Sequence, residues 1–203
     1  MRLNKVYQDY IGRVNLRERP FPLEIYGGEA APRDILEQEW WLAAIQEPEA
    51  QFNRFRGDDW PTTTLPAFQA VWSVAKMEPN KVHDFDLRVR RAFFAEGRNI
   101  GKRETMLDLA GEASLDISLF TRLLDSDDSR ASVLKEAKLG KEHFGVRGTP
   151  SIMLSDGTRL RHVMAFPHLR ERKIVAVDRL PCHAESCLES TRNLFEQALK
   201  RAK

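Results

Sequence analysis

What this sequence has little of narrows the classes first. Of its 203 residues only two are cysteine, Cys182 and Cys187, too few for the disulfide framework of a small secreted domain. Neither sign of charge is in excess: 32 basic residues against 30 acidic leave a formal net charge of +2. No global field therefore draws the chain to nucleic acid or to an anionic membrane surface. No stretch reaches the about 18 consecutive apolar residues of a membrane-spanning helix, and the opening Met1-Arg2-Leu3-Asn4-Lys5 leads into no apolar signal-peptide core. The expected location is cytoplasmic. The sequence also lacks G-x-G-x-x-G, Walker A and G-x-S-x-G motifs, so no nucleotide cofactor or hydrolase nucleophile is expected. His83, His143, His162, His168 and His183 show neither HExxH nor H-x3-H spacing, and no metal site is expected.

What is present is a globular composition, 42% apolar and 31% charged, on a chain long enough to bury a substantial core. Leu3, Val6, Tyr7, Tyr10 and Ile11 recur at helical spacing before Gly12, which suits a helix end. Val14 to Leu23 reads as a short strand, with Pro20 and Pro22 confining its pairing to the first half. A helix is predicted from about Pro32 to Gln46. Its adjacent Trp40 and Trp41 cannot both face one core. Five further helices are predicted between residues 64 and 145, with Thr64 and Asp116 as N-caps of two of them and Ser129 near the start of the last. Residues 166–173 read as a basic connector, Ile174-Val175-Ala176-Val177 as a buried strand, and the C-terminal segment from Leu188 as a helix. The basic residues Arg159, Arg161, Arg170, Arg172 and Lys173 read as a solvated face more readily than as an anion site.

The stretch from Gly145 to Gly157 carries the most specific pattern. Pro150 follows Thr149, and an X-Pro bond keeps only about 0.5–1 kcal/mol of trans preference, so a cis bond is plausible there. Pro150 also lacks the N–H that an interior strand position requires. Ile152-Met153-Leu154 is an apolar run of strand length, and Ser155-Asp156-Gly157-Thr158 is turn chemistry that predicts a hairpin with a second strand over Arg159 to Ala165.

Cys182 and Cys187 are read from their local sequence. Ser186 and Glu189 have capping-box spacing, which would make Ser186 the N-cap and place Cys187 at the first helical position, where the helix dipole favours a thiolate. Cys182 lies in the loop before. A disulfide is within reach only because a loop, not a regular helix, separates the two. Three readings stay open: two unpaired thiols, a reversible redox pair with Cys187 the more reactive, or metal ligands joined by His183 and His168.

Taken in order, Arg19-Pro20-Phe21-Pro22-Leu23, Thr64-Leu65-Pro66-Ala67-Phe68-Gln69-Ala70, Phe93-Phe94-Ala95-Glu96-Gly97-Arg98-Asn99-Ile100 and Gly145-Val146-Arg147-Gly148-Thr149-Pro150 resemble four successive motifs of the DsbA family, most closely its FrnE-like branch. The resemblance covers about residues 2–165. It implies an α/β, thioredoxin-like fold with an inserted helical subdomain: residues 1–30 and 145–203 as the thioredoxin-like part and 31–144 as the insertion. It also implies thiol/disulfide oxidoreductase chemistry, with Gly148, Thr149 and Pro150 forming a cis-proline loop that holds an extended substrate peptide. The family's first strand and its C-x-x-C motif have no counterpart here, so the first βα unit is missing from the pattern and a shortened N-terminus is the expectation. The Cys182/Cys187 pair is similar to a second cysteine motif of the FrnE-like branch. The implied partner is a thiol-bearing protein or peptide, with glutathione as another candidate, while oligomeric state stays open. Two rivals share the fold: a glutathione-dependent isomerase of the 2-hydroxychromene-2-carboxylate isomerase type, and a non-catalytic thioredoxin-like binding module.

Overall fold

The computed structural model describes residues 2–27, 30, 32–160, 165, 167–178 and 182–201. Their contacts group into two compact units, one made of residues 1–18, 34–52 and 146–203, the other of residues 19–33 and 53–145. Each is built around its own set of helices.

In the first unit, α1 (Arg2–Tyr7), extended by a 3₁₀ turn over Gln8–Tyr10, lies against the terminal helix α9 (Ser186–Arg201). Val6, Tyr10 and Phe195 form its buried centre, with Leu3, Tyr7, Leu188 and Leu199 around them. The Tyr10 and Phe195 rings stack at 4.8 Å, and the Tyr10 hydroxyl donates to Glu196 Oε1 at 2.7 Å. Gly12 takes a φ of 79°, which turns the chain out of this first helix. The strand expected over Val14 to Leu23 does not form: residues 14–22 carry no regular structure. The reason is physical. A strand needs a neighbour to take its backbone groups, no described segment pairs with it, and Val14 and Leu16 instead pack their side chains on the Val6–Tyr10–Phe195 cluster.

Helix α3 (Arg33–Gln46) matches the predicted span closely. Its two tryptophans divide as helical geometry requires: Trp40 is 5% exposed and Trp41 72%. The hairpin after Pro150 is short. β1 (Ile152–Met153) and β2 (Arg159–Leu160) pair antiparallel, with Gly157 at a φ of 82° in the turn and Thr158 donating its N–H to Asp156 Oδ1. Of the second strand expected over Arg159 to Ala165, residues 161–164 lie outside the described residues.

The predicted connector and buried strand are together one exposed hairpin, β3 (Pro167–Arg170) with β4 (Lys173–Val177). Val175 is 60% exposed, so the apolar run does not mark burial here. Its two-residue turn, Glu171 and Arg172, has φ of 49° and 63°, the mirror-image turn that suits strand twist but normally selects Asn or Gly. Neighbours on α3 hold it in place. Arg172 makes a bidentate pair with Asp34, and Gln38 donates to the Arg172 carbonyl and accepts from the Ile174 N–H.

The second unit is helical: the short α2 (Glu24–Gly27), then α4 (Leu65–Met77), α5 (Val82–Phe94), α6 (Arg103–Glu112), α7 (Ile117–Leu124) and α8 (Asp127–Glu142). Phe85, Phe120, Met106, Leu109, Val74 and Val133 are almost wholly buried in its core. Phe85 and Phe120 meet edge to face at 5.9 Å. Asp116 caps α7 as expected, accepting from Leu119 N at 3.0 Å. α8 begins earlier than expected, with Ser126 as its cap accepting from Ser129 N. Thr64 does not cap α4 with its own hydroxyl. The Glu24 carboxylate instead accepts from the Thr64 N–H at 2.6 Å and from the hydroxyls of Thr63 and Thr64. On the same stretch, Phe21 stacks on Tyr26, Lys141 sits 4.1 Å over the Tyr26 ring, and Arg19 pairs with Glu136.

Candidate redox site

Cys182 and Cys187 are joined in a disulfide that spans five positions, with Cα atoms 5.0 Å apart. Of the three readings open from sequence, the pair is therefore neither two unpaired thiols nor a metal-ligand pair in this state. His168 Nε2 lies 2.7 Å from Asp178 Oδ1. No group of three or more His, Cys, Asp or Glu side chains arranged to hold a metal ion occurs among the described residues.

The bridge is closed by the way the chain enters α9. Ser186 N, Cys187 N and Leu188 N each donate to the carbonyl three residues back, at His183, Ala184 and Glu185. A tight turn thus runs directly into the helix, with Ala184 at a φ of 45°. This departs from the expected capping box. Ser186 Oγ accepts from His183 N and donates to the His183 carbonyl instead of capping the first turn. The amides of Ser186, Cys187 and Leu188 are thus occupied by carbonyls, which leaves them less able to stabilise a thiolate at Cys187. Cys187 is also fully buried, at 0% exposure, while Cys182 is 7% exposed.

The polar groups around the bridge gather at Cys182. Gln46, 3% exposed at the end of α3, donates from Nε2 to Cys182 Sγ at 3.5 Å and accepts the Ala165 N–H on Oε1. The Ala165 N–H fixes the orientation of the amide, and the bridged sulfur, which has no proton to donate, takes the NH₂ side. Arg2, on α1, donates from Nη1 to the same sulfur at 3.5 Å. Glu47 steadies Arg2 by accepting from its backbone N–H and from Nε at 3.2 Å, an ion pair whose side chains are about four-fifths buried. Neither Arg2 nor Gln46 stood out in the sequence. Gln46 had a weak signal, a polar residue closing the apolar stripe of α3; Arg2 had none.

The other predicted site residues form a separate station. The Thr149–Pro150 peptide bond is cis, and Thr149 and Pro150 are exposed. Ser151 Oγ donates to the Gly148 carbonyl at 2.7 Å, and Arg159 donates to Ser151 Oγ at 2.7 Å, which ties the loop to β2. A side chain added at Gly148 would meet nothing within 4 Å, so the loop is open on that side. No hydrogen bond among the described residues joins Gly148, Thr149 or Pro150 to the cysteine pair.

No family model matches the chain. It is 33% identical over 82 residues to the uncharacterized protein YwbO of Bacillus subtilis (strain 168), a match covering 39% of this chain and 40% of YwbO, so the chain spans about two-fifths of the curated relative it matches. Among solved structures, all of the chain superimposes on 90% of a protein from Nitrosomonas europaea described as a "putative protein disulfide isomerase", with a TM-score of 0.73 and 19% identity. No helix among the described residues is long and apolar enough to cross a membrane. The chain thus has a mixed helix and strand fold of the thioredoxin-like type, the fold of that disulfide isomerase-like structure.

Proposed function

We propose that the protein is a thiol/disulfide oxidoreductase of the DsbA-like, FrnE-like kind, with Cys182 and Cys187 as its redox pair and the Gly148-Thr149-Pro150 loop as a peptide-holding edge. The observation that carries this reading is the Cys182–Cys187 bridge itself, whose one sulfur receives two N–H donors. A sulfur so placed is stabilised as a thiolate after reduction, and the thiolate is the form that exchanges. The thioredoxin-like fold and the exposure of Thr149 and Pro150 support the same reading. Thr149 would pair its backbone with an extended thiol-bearing peptide in strand fashion. The expected cytoplasmic location belongs to this proposal, because a disulfide in a reducing compartment persists only where it cycles.

The test is equilibration in glutathione buffers of graded ratio, with the Cys182–Cys187 state read by alkylation and mass spectrometry, alongside reduction of a protein disulfide such as that of insulin. A cycling pair reaches a midpoint within the range of known redox proteins, above about −300 mV, and supports turnover that Cys182→Ser abolishes. A midpoint below that value with no turnover would make the bridge a structural staple. One observation favours such a second reading, a non-catalytic binding module: both cysteines are more than nine-tenths buried. That module would retain peptide binding at the cis-proline loop without reducing insulin.

A further inference from the structure

The geometry points to Cys182, not Cys187, as the sulfur that exchanges with substrate, with Arg2 and Gln46 as the residues that position it and hold its negative charge. This rests on the redox reading given above and assigns the roles within it. Three elements converge on one atom: Arg2 from α1 and Gln46 from α3 both donate to Cys182 Sγ, which the loop before α9 supplies. Each donor is held by another group, Arg2 by Glu47 and Gln46 by the Ala165 N–H, so neither must be reoriented when the sulfur gains charge. A guanidinium and an oriented amide in a largely buried setting favour a thiolate far more than water-exposed donors would. No side chain donates to Cys187 Sγ among the described residues, and Cys187 is the more buried of the two.

The chemistry divides accordingly. In the reduced protein the Cys182 thiolate attacks one sulfur of a target disulfide. The Cys182–target bond forms, the target S–S bond breaks, and its electron pair leaves on the second target sulfur, which takes a proton from solvent. Cys187 then gives up its proton to solvent and attacks Cys182 Sγ. The intramolecular bridge closes, and the first target sulfur leaves as a thiolate. The target disulfide gains two electrons and the Cys182/Cys187 dithiol loses two; the reverse sequence oxidises a target dithiol. In both directions the mixed disulfide resides on Cys182, and Cys187 resolves it.

Full-length Cys187→Ser and Cys182→Ser proteins, reduced, are alkylated with iodoacetamide across about pH 5 to 10 and then offered 2-hydroxyethyl disulfide, with mass spectrometry locating the adduct. The remaining thiol of Cys187→Ser should titrate below the about 8.5 of a free cysteine and accumulate the mixed disulfide; that of Cys182→Ser should do neither. Adding Arg2→Met to Cys187→Ser should raise the midpoint by about one unit, a roughly tenfold loss of thiolate at neutral pH. Gln46→Leu should move it the same way by less, and Arg2→Lys should restore most of the Arg2 effect. A merely structural role for Arg2 would lower the melting temperature and leave the midpoint in place. Should Arg2→Met lose its helical circular dichroism, the Arg2→Lys and Gln46→Leu midpoints decide. A lower midpoint at Cys187, or a Cys182 midpoint that no variant moves, overturns this assignment while leaving the redox reading intact. Failure of either thiol to react in the folded protein, with a wild-type bridge that never equilibrates with thiol buffer, overturns both.

Discussion

At the scale of single residues, position on a helix decides chemistry that composition hides. Trp40 and Trp41 are identical in type, yet one is buried and the other open to water. Glu39, beside them on α3, is half-buried, and no partner for its carboxylate occurs among the described residues. Burial disfavours its charged form, and its pKa lies above the ordinary glutamate value of 4.5. Below both the folded and the unfolded pKa the group is neutral in either state and costs nothing. As pH rises past the unfolded value, the unfolded chain releases its proton more readily than the folded one, and stability falls. Glu39→Gln should therefore be more stable than the parent at neutral pH, by a few tenths of a kcal/mol once solvent screening of a half-exposed group is allowed for, and the gain should vanish below about pH 4. Urea unfolding at several pH values checks this; an equal difference at all pH values would show that ionisation of Glu39 is not its source.

At the scale of elements, what was legible in the sequence is what local physics determines. The apolar stripes of α5 and α9 lie where 3.6-residue periodicity places them, and Asp116 caps α7 because its acceptor reaches an amide three residues on. The misses share a cause, partners distant in sequence. Residues 14–22 have strand-like composition but no neighbouring strand among the described residues, and the Glu171–Arg172 turn does without the usual glycine because Asp34 and Gln38, more than 130 positions earlier, hold it. At the candidate site, the cysteines and the Thr149–Pro150 loop were visible as motifs, whereas Arg2 and Gln46 became relevant only through the fold. The cap of α4 is the clearest instance. The Thr64 amide at its entry depends on Glu24, forty positions earlier, and one carboxylate accepts from the hydroxyls of both Thr63 and Thr64. Glu24→Ala should cost about 1–2 kcal/mol, the loss of a charge-assisted cap, and Glu24→Gln less because one acceptor oxygen remains. Guanidinium unfolding followed by helical circular dichroism measures both; unchanged midpoints would show that Thr63, which accepts from Leu65 N, suffices alone.

At the scale of the whole molecule, the cysteine bridge connects the proposed chemistry with stability. It lies where α1, α3 and the entry to α9 meet, through Arg2, Gln46 and the Cys187 turn, so its state bears on how these three are held together. The closed loop is short, and the loop-entropy argument assigns such a bridge about 2 kcal/mol. Reduction also leaves Cys182 as a thiol or a thiolate beside Arg2, and a thiolate there recovers part of that loss through the guanidinium. The reduced protein should thus be less stable than the oxidised one by about 1–2 kcal/mol at neutral pH, and the gap should widen on acidification as Cys182 becomes protonated, since a neutral thiol forfeits the Arg2 attraction. Amide exchange should accelerate first in α1 and the opening turns of α9, with the core around Phe85 and Phe120 unaffected. Denaturant unfolding of both redox states across pH, with exchange resolved by segment, measures this. A gap independent of pH would mean that Cys182 forms no stabilised thiolate beside Arg2, and that loop closure alone accounts for what the bridge contributes.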